Sequence, residues 1–269
     1  MLKVGIIGLG FVGSALANAL AGKAQVIGHD RFKPSDDLRT VCEAPVVFVC
    51  VPTPTKFGTQ DILALEDVCA DLKNLNYRGV VCIKSTVLPR TCHDLSTKYG
   101  LKIVHNPEFL TQNNAEWDTL NPKTILLSGD SDWCQIVARV HELFTSAKVQ
   151  VFSDYKVTEM AKYFHNTFLA TKVAFCNEIA SICKTIGVPY EDVLAATISA
   201  EGIGAGHTKV PGPDKQTGFG GACFPKDCLA FSAFSRSEMT RFKVLDAAIE
   251  ANEKHRRFDN HCNEFASRQ

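Results

Sequence analysis

The chain reads as an α/β protein: a doubly wound parallel sheet in its first half, then an all-helical domain with one long central helix. Three observations predict this. Short Val- and Ile-rich runs alternate with amphipathic segments as far as Phe152, the pattern of strands covered by helices on both faces. Lys156–Ile186 holds no Gly or Pro and repeats apolar residues at helical spacing. Glycines then gather between Gly202 and Gly221, after which helical patterning resumes. The domains expected are residues 1–152 and 153–269.

The strands expected are Val4–Ile7, Gln25–His29, Val46–Val51, Val80–Lys84, Lys102–Val104, Thr124–Leu127 and Val149–Phe152, each apolar almost throughout. Val12–Leu20, Ile62–Leu75 and Asp132–Phe144 carry the stripe of covering helices. Asp154 is placed to cap the long helix, Glu159 to favour its first turns and Gly187 to stop it. At 1.5 Å per residue that helix runs roughly 45 Å. Pro189 starts a shorter helix that ends near Ala200, and Pro225 suits the first position of another. Ser237 to about Phe265 reads as a final long helix, charged towards its end.

Composition narrows the class. Hydrophobic residues make up 45 % of the 269 and charged residues 22 %, which excludes a disordered chain. Lys plus Arg and Asp plus Glu both total 29, so nothing suggests a nucleic-acid partner, which calls for a basic excess. No apolar run reaches the roughly 18–20 residues of a membrane helix. Met1 leads straight into Leu2-Lys3-Val4, without the pattern of a secretory leader. A cytoplasmic chain with no membrane partner is expected, and its eleven cysteines then read as thiols. No Cys-x-x-Cys pair occurs, so no metal is expected. Most cysteines are expected to be small buried hydrophobes.

Gly8-Leu9-Gly10-Phe11-Val12-Gly13 fits G-x-G-x-x-G, between an expected strand and an expected helix. In that context Gly8 permits a tight turn, Gly10 lets a pyrophosphate approach the backbone, and Gly13 lets helix and sheet pack closely. The N–H groups of Phe11, Val12 and Gly13 open the helix towards the phosphates. Asp30 closes the second strand, 22 residues after Gly8. A carboxylate there accepts from ribose hydroxyls and repels a 2′-phosphate, which selects NAD over NADP. Arg31 beside it works the other way.

Gly218-Phe219-Gly220-Gly221-Ala222-Cys223-Phe224-Pro225-Lys226-Asp227 is the most informative stretch. Its glycines permit unusual backbone shapes and close approach of a substrate. A helix start and Lys226 beside Cys223 favour thiolate over thiol. Such a thiolate next to a dehydrogenase cofactor can trap an aldehyde; the plainer alternative is a packed cysteine, a role Cys228 suits better. Lys162 and Asn166 stand four apart on the long helix, where a cation and an amide can hold an alkoxide, or can simply be a solvated face. Asn106-Pro107-Glu108-Phe109-Leu110 and Lys84-Ser85-Thr86 follow strands, at the sheet end where ligands bind. His207 is a lone loop histidine and is not assigned a catalytic role.

Together these stretches resemble the UDP-glucose/GDP-mannose dehydrogenase family. The matching segments are Val4–Gly13, Val51-Pro52-Thr53-Pro54, Ser85-Thr86-Val87, Asn106–Leu110, Glu159–Ala170, Asn177-Glu178-Ile179-Ala180 and Gly218–Asp227. The resemblance implies a Rossmann-type NAD domain and oxidation of a sugar C6 alcohol to a carboxylate with two NAD, UDP-glucose being the first choice of nucleotide-sugar substrate. Cys223 would be the nucleophile, Lys162 and Asn166 would stabilise the oxyanion, and Glu108 would be the acid/base. Thr86 and Asp227 would position water. Pro52, Thr53, Thr86 and Lys226 would join the cofactor set. Phe109, Leu110, Phe219, Gly220 and Gly221 would line the substrate with Glu108, Lys162 and Asn166. The long helix would build a homodimer. Three departures stand out: Gly202 where an arginine usually precedes Ile-Gly, Gln112 where a second carboxylate is usual, and the inserted Gly206–Lys215. Family members also continue into a further α/β domain beyond the position of Gln269. Two other readings remain open: a two-electron dehydrogenase of the β-hydroxyacid type, which needs no cysteine, and an NAD-binding chain that is inactive or completed by a partner.

Overall fold

The computed structural model describes residues 1–56, 58–111 and 114–266; Gln112 lies outside them. In chain order the elements are β1 (Lys3–Ile7), α1 (Phe11–Leu20), β2 (Gln25–His29), α2 (Leu38–Val41), β3 (Val46–Val49), β4 (Thr55–Lys56), β5 (Thr59–Gln60) and α3 (Leu63–Asn74). Next come β6 (Val80–Ile83), α4 (Thr91–Tyr99), β7 (Lys102–His105), α5 (Ala115–Leu120), β8 (Thr124–Gly129), α6 (Ser131–His141) and β9 (Lys148–Phe152). The remainder is helical: α7 (Tyr155–Ile186), α8 (Tyr190–Ser199), α9 (Phe224–Ser237) and α10 (Lys243–Ala266). The chain divides into two compact units, the first ending at Lys162 inside α7, the second built from Tyr163 onward with the short segment around Gly58.

The first unit is a seven-stranded sheet in the order β2-β1-β3-β6-β7-β8-β9. Alternation within each apolar strand feeds two cores. Val4, Ile6, Phe48, Cys82 and Val104 pack with Leu16 and Leu20 of α1 and Val137 and Val140 of α6. Their neighbours Ile7, Val47, Val49, Val81, Ile83 and Ile103 pack with Leu65 and Leu72 of α3 and Leu95 of α4. This two-sided burial is why the strands read as continuous apolar runs.

Three features differ from the sequence reading. Pairing is parallel from β2 to β7, but β7 and β8 are antiparallel, with Val104 opposite Gly129. The chain leaves β7 into α5 and re-enters at the same end of the sheet, so no crossover returns it to parallel; β8 and β9, joined through α6, are parallel again. Helix α4 has no apolar stripe, because only Cys92 and Leu95 are buried. The final helix begins at Lys243, since Ser237 is instead the last residue of α9.

Asp154 caps α7 as expected, its carboxylate accepting from Lys156 N at 2.9 Å, and Gly187 follows at φ 74°. Glu159 has another task. Fully buried, it accepts from Arg90 N and Cys92 N, both at 2.8 Å, and so caps α4. Burial, opposed by those two amides, leaves its carboxyl above the usual range.

In the second unit Tyr163 is fully buried and stacks on Phe231 at 5.1 Å. Phe231 in turn meets Phe234 and Phe242, which joins α9 to the start of α10. Among the described residues no helix is long and apolar enough to cross a membrane, and no cluster of His, Cys, Asp or Glu could hold a metal ion.

Candidate active site

The turn after β1 is shaped as a dinucleotide cradle. Gly8 has φ 91°, and a Cβ there would press on the Cys50 carbonyl; a Cβ on Gly13 would overlap the Gly8 carbonyl. At Gly10 a Cβ would meet nothing within 4 Å, so the backbone faces open space at the start of α1. Gly10 is the N-cap and offers no side-chain cap, leaving the amides of Phe11, Val12 and Gly13 directed outward. Asp30 is tied into this turn, accepting from Leu9 N at 2.7 Å and Phe32 N at 2.9 Å. The Phe32 amide, against some burial and aided by Leu9 and Lys33, keeps its carboxyl below the usual range. Ionised and fixed, it is ready to accept from a ribose. These residues fit NAD.

Thr53 is buried, and its hydroxyl donates to the Thr86 carbonyl at 2.7 Å. Gln60 Nε2 donates to the same carbonyl at 2.9 Å, and Ser85 donates to Val51 O at 2.6 Å. Thr53 and Thr86, far apart in sequence, are thus brought together at the ends of β3 and β6. Pro52 beside them is exposed.

Lys162 and Glu108 form a largely buried pair in the first unit. Their side chains are 4 % and 12 % exposed, and Lys162 Nζ donates to Glu108 Oε1 at 3.1 Å and to Glu108 O at 2.6 Å. Leu110 N donates to Glu108 Oε2 at 2.6 Å, and the Phe109 ring lies 5.3 Å from the ammonium. Burial pushes the Glu108 carboxyl up. The Lys162 charge, the Leu110 amide and Lys84 outweigh it, and the net shift is downward. Glu108 is therefore a carboxylate at neutral pH, able to accept a proton.

Its segment is anchored by residues the sequence reading left unassigned. Asn106 Oδ1 accepts from Lys84 Nζ and from His141 Nε2, both at 2.9 Å, while Asn106 Nδ2 donates to Leu126 O at 2.9 Å. His105 Nδ1 meets Thr158 Oγ1 at 2.7 Å. Burial, with Lys84 nearby, lowers both histidines to about 3 and keeps them neutral. No sequence spacing signals this network, because its members come from the ends of β6 and β7 and from α6 and α7.

The second unit brings Asn166 and Asp227 together. Both are buried, Asn166 Nδ2 donates to Asp227 Oδ2 at 2.6 Å, and Lys226 Nζ donates to Oδ1 at 2.5 Å. So Lys162 and Asn166 lie one turn apart on α7, yet each is bonded to a different carboxylate. Cys223 is the N-cap of α9 and its carbonyl accepts from Asp227 N at 3.0 Å. It is exposed, alone among the ten described cysteines. Cys228 is buried, and burial raises its thiol to about 12. Phe219 is buried; Gly220 is half-buried and Gly221 exposed at φ 76°. His207 rests against the Phe224 ring at 5.7 Å, and Gly202 takes φ 85° with open space around it.

Comparison with known proteins gives a consistent picture. The model of the UDP-glucose/GDP-mannose dehydrogenase family's NAD binding domain matches residues 23–148, and that of its central domain matches residues 156–254. A UDP-glucose 6-dehydrogenase of Rickettsia bellii is 30 % identical over 243 residues, covering 86 % of this chain and 54 % of that protein. The UDP-glucose 6-dehydrogenase AglM of Haloferax volcanii is 32 % identical over 260 residues, 87 % of this chain and 58 % of its own. Among solved structures, a UDP-glucose dehydrogenase from the hyperthermophilic archaeon Pyrobaculum islandicum superposes with a TM-score of 0.83 at 27 % identity, over 94 % of this chain and 68 % of that one. The chain spans about half the length of the curated relatives it matches.

Proposed function

The chain belongs to the UDP-glucose/GDP-mannose dehydrogenase family, and from that premise we propose that it oxidises the C6 alcohol of a nucleotide sugar, UDP-glucose, to the carboxylate. The observation that carries the reading is the Cys223 thiol, the one exposed cysteine among those described, which stands at a helix start. Bound NAD would supply the hydride acceptor for each of two successive two-electron oxidations. Gly8, Gly10, Gly13 and Asp30 would hold it, with Pro52, Thr53, Thr86 and Lys226 alongside. Glu108 takes the proton of the C6 hydroxyl, and Lys162 and Asn166 donate to the alkoxide as charge develops.

At the aldehyde stage the Cys223 thiolate adds to the carbonyl carbon and forms a C–S bond. Loss of a second hydride turns the thiohemiacetal into a thioester. Water, positioned by Thr86 and Asp227, then adds, breaks the C–S bond, returns the thiolate and supplies the second carboxylate oxygen. Phe109, Leu110, Phe219, Gly220 and Gly221 would line the sugar. The reading also carries a cytoplasmic location, where such a thiol stays reduced.

A second copy of the chain would cover the exposed apolar stripe of α7, where Val157, Phe164, Phe168, Phe175, Ile182 and Ile186 are 42–69 % exposed. The test is NADH production with UDP-glucose, counted per sugar. Two NADH per sugar in the wild type and no acid from Cys223→Ser are expected. One NADH per sugar, or acid from Cys223→Ser at the wild-type rate, overturns the covalent route.

A further inference from the structure

Glycine-rich segments cost much entropy to order, yet the one ahead of Cys223 is fastened along its length within the second unit. Lys172 Nζ donates to the carbonyls of Gly204 at 2.5 Å and Gly206 at 2.7 Å. Tyr190 donates to Thr208 O at 2.7 Å. Gly218 N donates to Asn177 Oδ1 at 2.9 Å. The densest attachment comes from α10. Asn252 accepts from Phe219 N at 2.5 Å and donates to Phe219 O at 3.0 Å, closing a two-bond ring on one residue.

One turn further on, the Arg256 guanidinium spreads over four acceptors. Nη1 donates to Asp214 Oδ2 at 2.7 Å and to Gln216 Oε1 at 2.5 Å; Nη2 donates to Gly218 O at 3.0 Å and Nε to Phe219 O at 3.2 Å. Only a planar fork can serve acceptors so spread. Two of the glycines are accounted for by this fork and its neighbour. A Cβ on Gly218 would strike Asn252 Oδ1, and one on Gly220 would strike Arg256 Nη2.

We propose that Arg256 and Asn252 are positioning residues for Cys223: by gripping the backbone of Gly218 and Phe219 they hold the turn that presents its sulfur at the start of α9. Phe219, with both backbone groups tied, stands four residues before Cys223. On the other side the Cys223 carbonyl begins the hydrogen bonding of α9. The sulfur thus sits between two fixed points joined by Gly220, Gly221 and Ala222. Asp214, in the segment Gly206–Lys215 that the family resemblance marks as inserted, is one of the four acceptors. The insertion therefore feeds directly into the grip. This inference rests on the reading of Cys223 as nucleophile for its consequence in turnover, but the grip itself is measurable without turnover.

The test follows alkylation of Cys223 by iodoacetamide across the thiol titration range, located by peptide mass spectrometry, in the full chain and in Arg256→Ala, Arg256→Lys and Asn252→Ala. Circular dichroism confirms that each variant is folded. A thiol held at a helix start titrates below an unconstrained one, whose midpoint is about 8.5. Arg256→Ala is expected to move the midpoint towards that value by about half a unit, the size of a helix-terminus effect. Arg256→Lys keeps the charge but not the fork and is expected to recover only part of the shift. Asn252→Ala is expected to shift it in the same direction, and it serves alone if the arginine variants do not fold. An unchanged midpoint and limiting rate in the folded variants overturn the proposal. Failure of the reaction is read separately, as absence of NADH from the wild-type chain with UDP-glucose, and leaves the alkylation result standing.

Discussion

Lowering the pH from 7 to 5 should destabilise the first unit through two histidines that lie behind Glu108. His105 and His141 are 0 % and 5 % exposed, and burial, with Lys84 nearby, brings both to about 3. In the unfolded chain each titrates near 6.5. Between those values the unfolded chain binds protons that the folded one refuses, so stability is full above about 7 and falls as pH drops through 6.5. At pH 5 each histidine costs RT ln(1 + 10^1.5), about 2 kcal/mol, and the pair about 4 kcal/mol. Against a typical total of about 5–15 kcal/mol this is large.

Glu159 works the other way. Its carboxyl is raised by burial, so folding takes up a proton there and stability gains as pH falls. The histidine contribution is therefore isolated by comparing wild type with a His105→Gln/His141→Gln variant. Trp117 and Trp133, the two tryptophans of the chain, both lie in the first unit, so urea unfolding followed by their fluorescence reports that unit. The wild type should lose about 4 kcal/mol more than the double variant between pH 7 and 5. Equal losses would show that the two imidazoles accept protons in the folded state and would refute the reasoning.

Three further outcomes follow from the site. Glu108→Gln leaves the Lys162 ammonium buried without its counter-charge and should cost about 3–5 kcal/mol in the same tryptophan-monitored unfolding; because the Glu108 carboxyl is depressed, the wild-type pair should keep its contribution down to the ordinary carboxylate range and lose it only as pH falls further. Gly13→Ala drives a Cβ against the Gly8 carbonyl, so NAD binding measured by calorimetry should disappear, whereas an unchanged affinity would remove the turn from the cofactor site. Phe164→Glu with Phe168→Glu places charges on the exposed α7 stripe and should yield a monomer by light scattering if a second copy covers that face; a mass equal to that of wild type would place any association elsewhere.

Legibility in the sequence tracked local chemistry. The strands declared themselves because both faces of the sheet are covered, and the G-x-G-x-x-G turn because its glycines answer to local collisions. Cys223 stands out in the sequence in the same local way, preceded by glycines and followed by Pro225. Helix α4 was not, since Thr91–Tyr99 is mostly polar and buries only two side chains. The start of α10 was misplaced because Glu238–Phe242 contains no Gly or Pro to mark a break. Asn106, His141 and Lys84 meet from three elements, and Arg256 reaches back some forty residues to Asp214. Such contacts exist only once the chain is folded, and no periodicity encodes them.

The two carboxylates also change what Lys162 and Asn166 can do. An ammonium has three donors and a carboxamide nitrogen two. Lys162 gives two to Glu108, one to its carboxylate and one to its carbonyl, and Asn166 gives one to Asp227. Beyond these bonds one donor remains on each, on side chains one turn apart on α7. Within its own unit each internal bond fixes the direction of the donor left on that side chain, which is the condition under which a hydrogen bond to a developing charge costs no reorganisation. In the proposed reaction Glu108 and Asp227 would then have a second use besides proton transfer and water placement. Each aims the donor that shares its bond. If the chain carries out the proposed oxidation, neutralising either carboxylate should slow alkoxide formation through misdirected donors as well as through lost charge; a solvated helix face, the plainer reading of the Lys-x-x-x-Asn pair, does not describe residues that are both 3 % exposed.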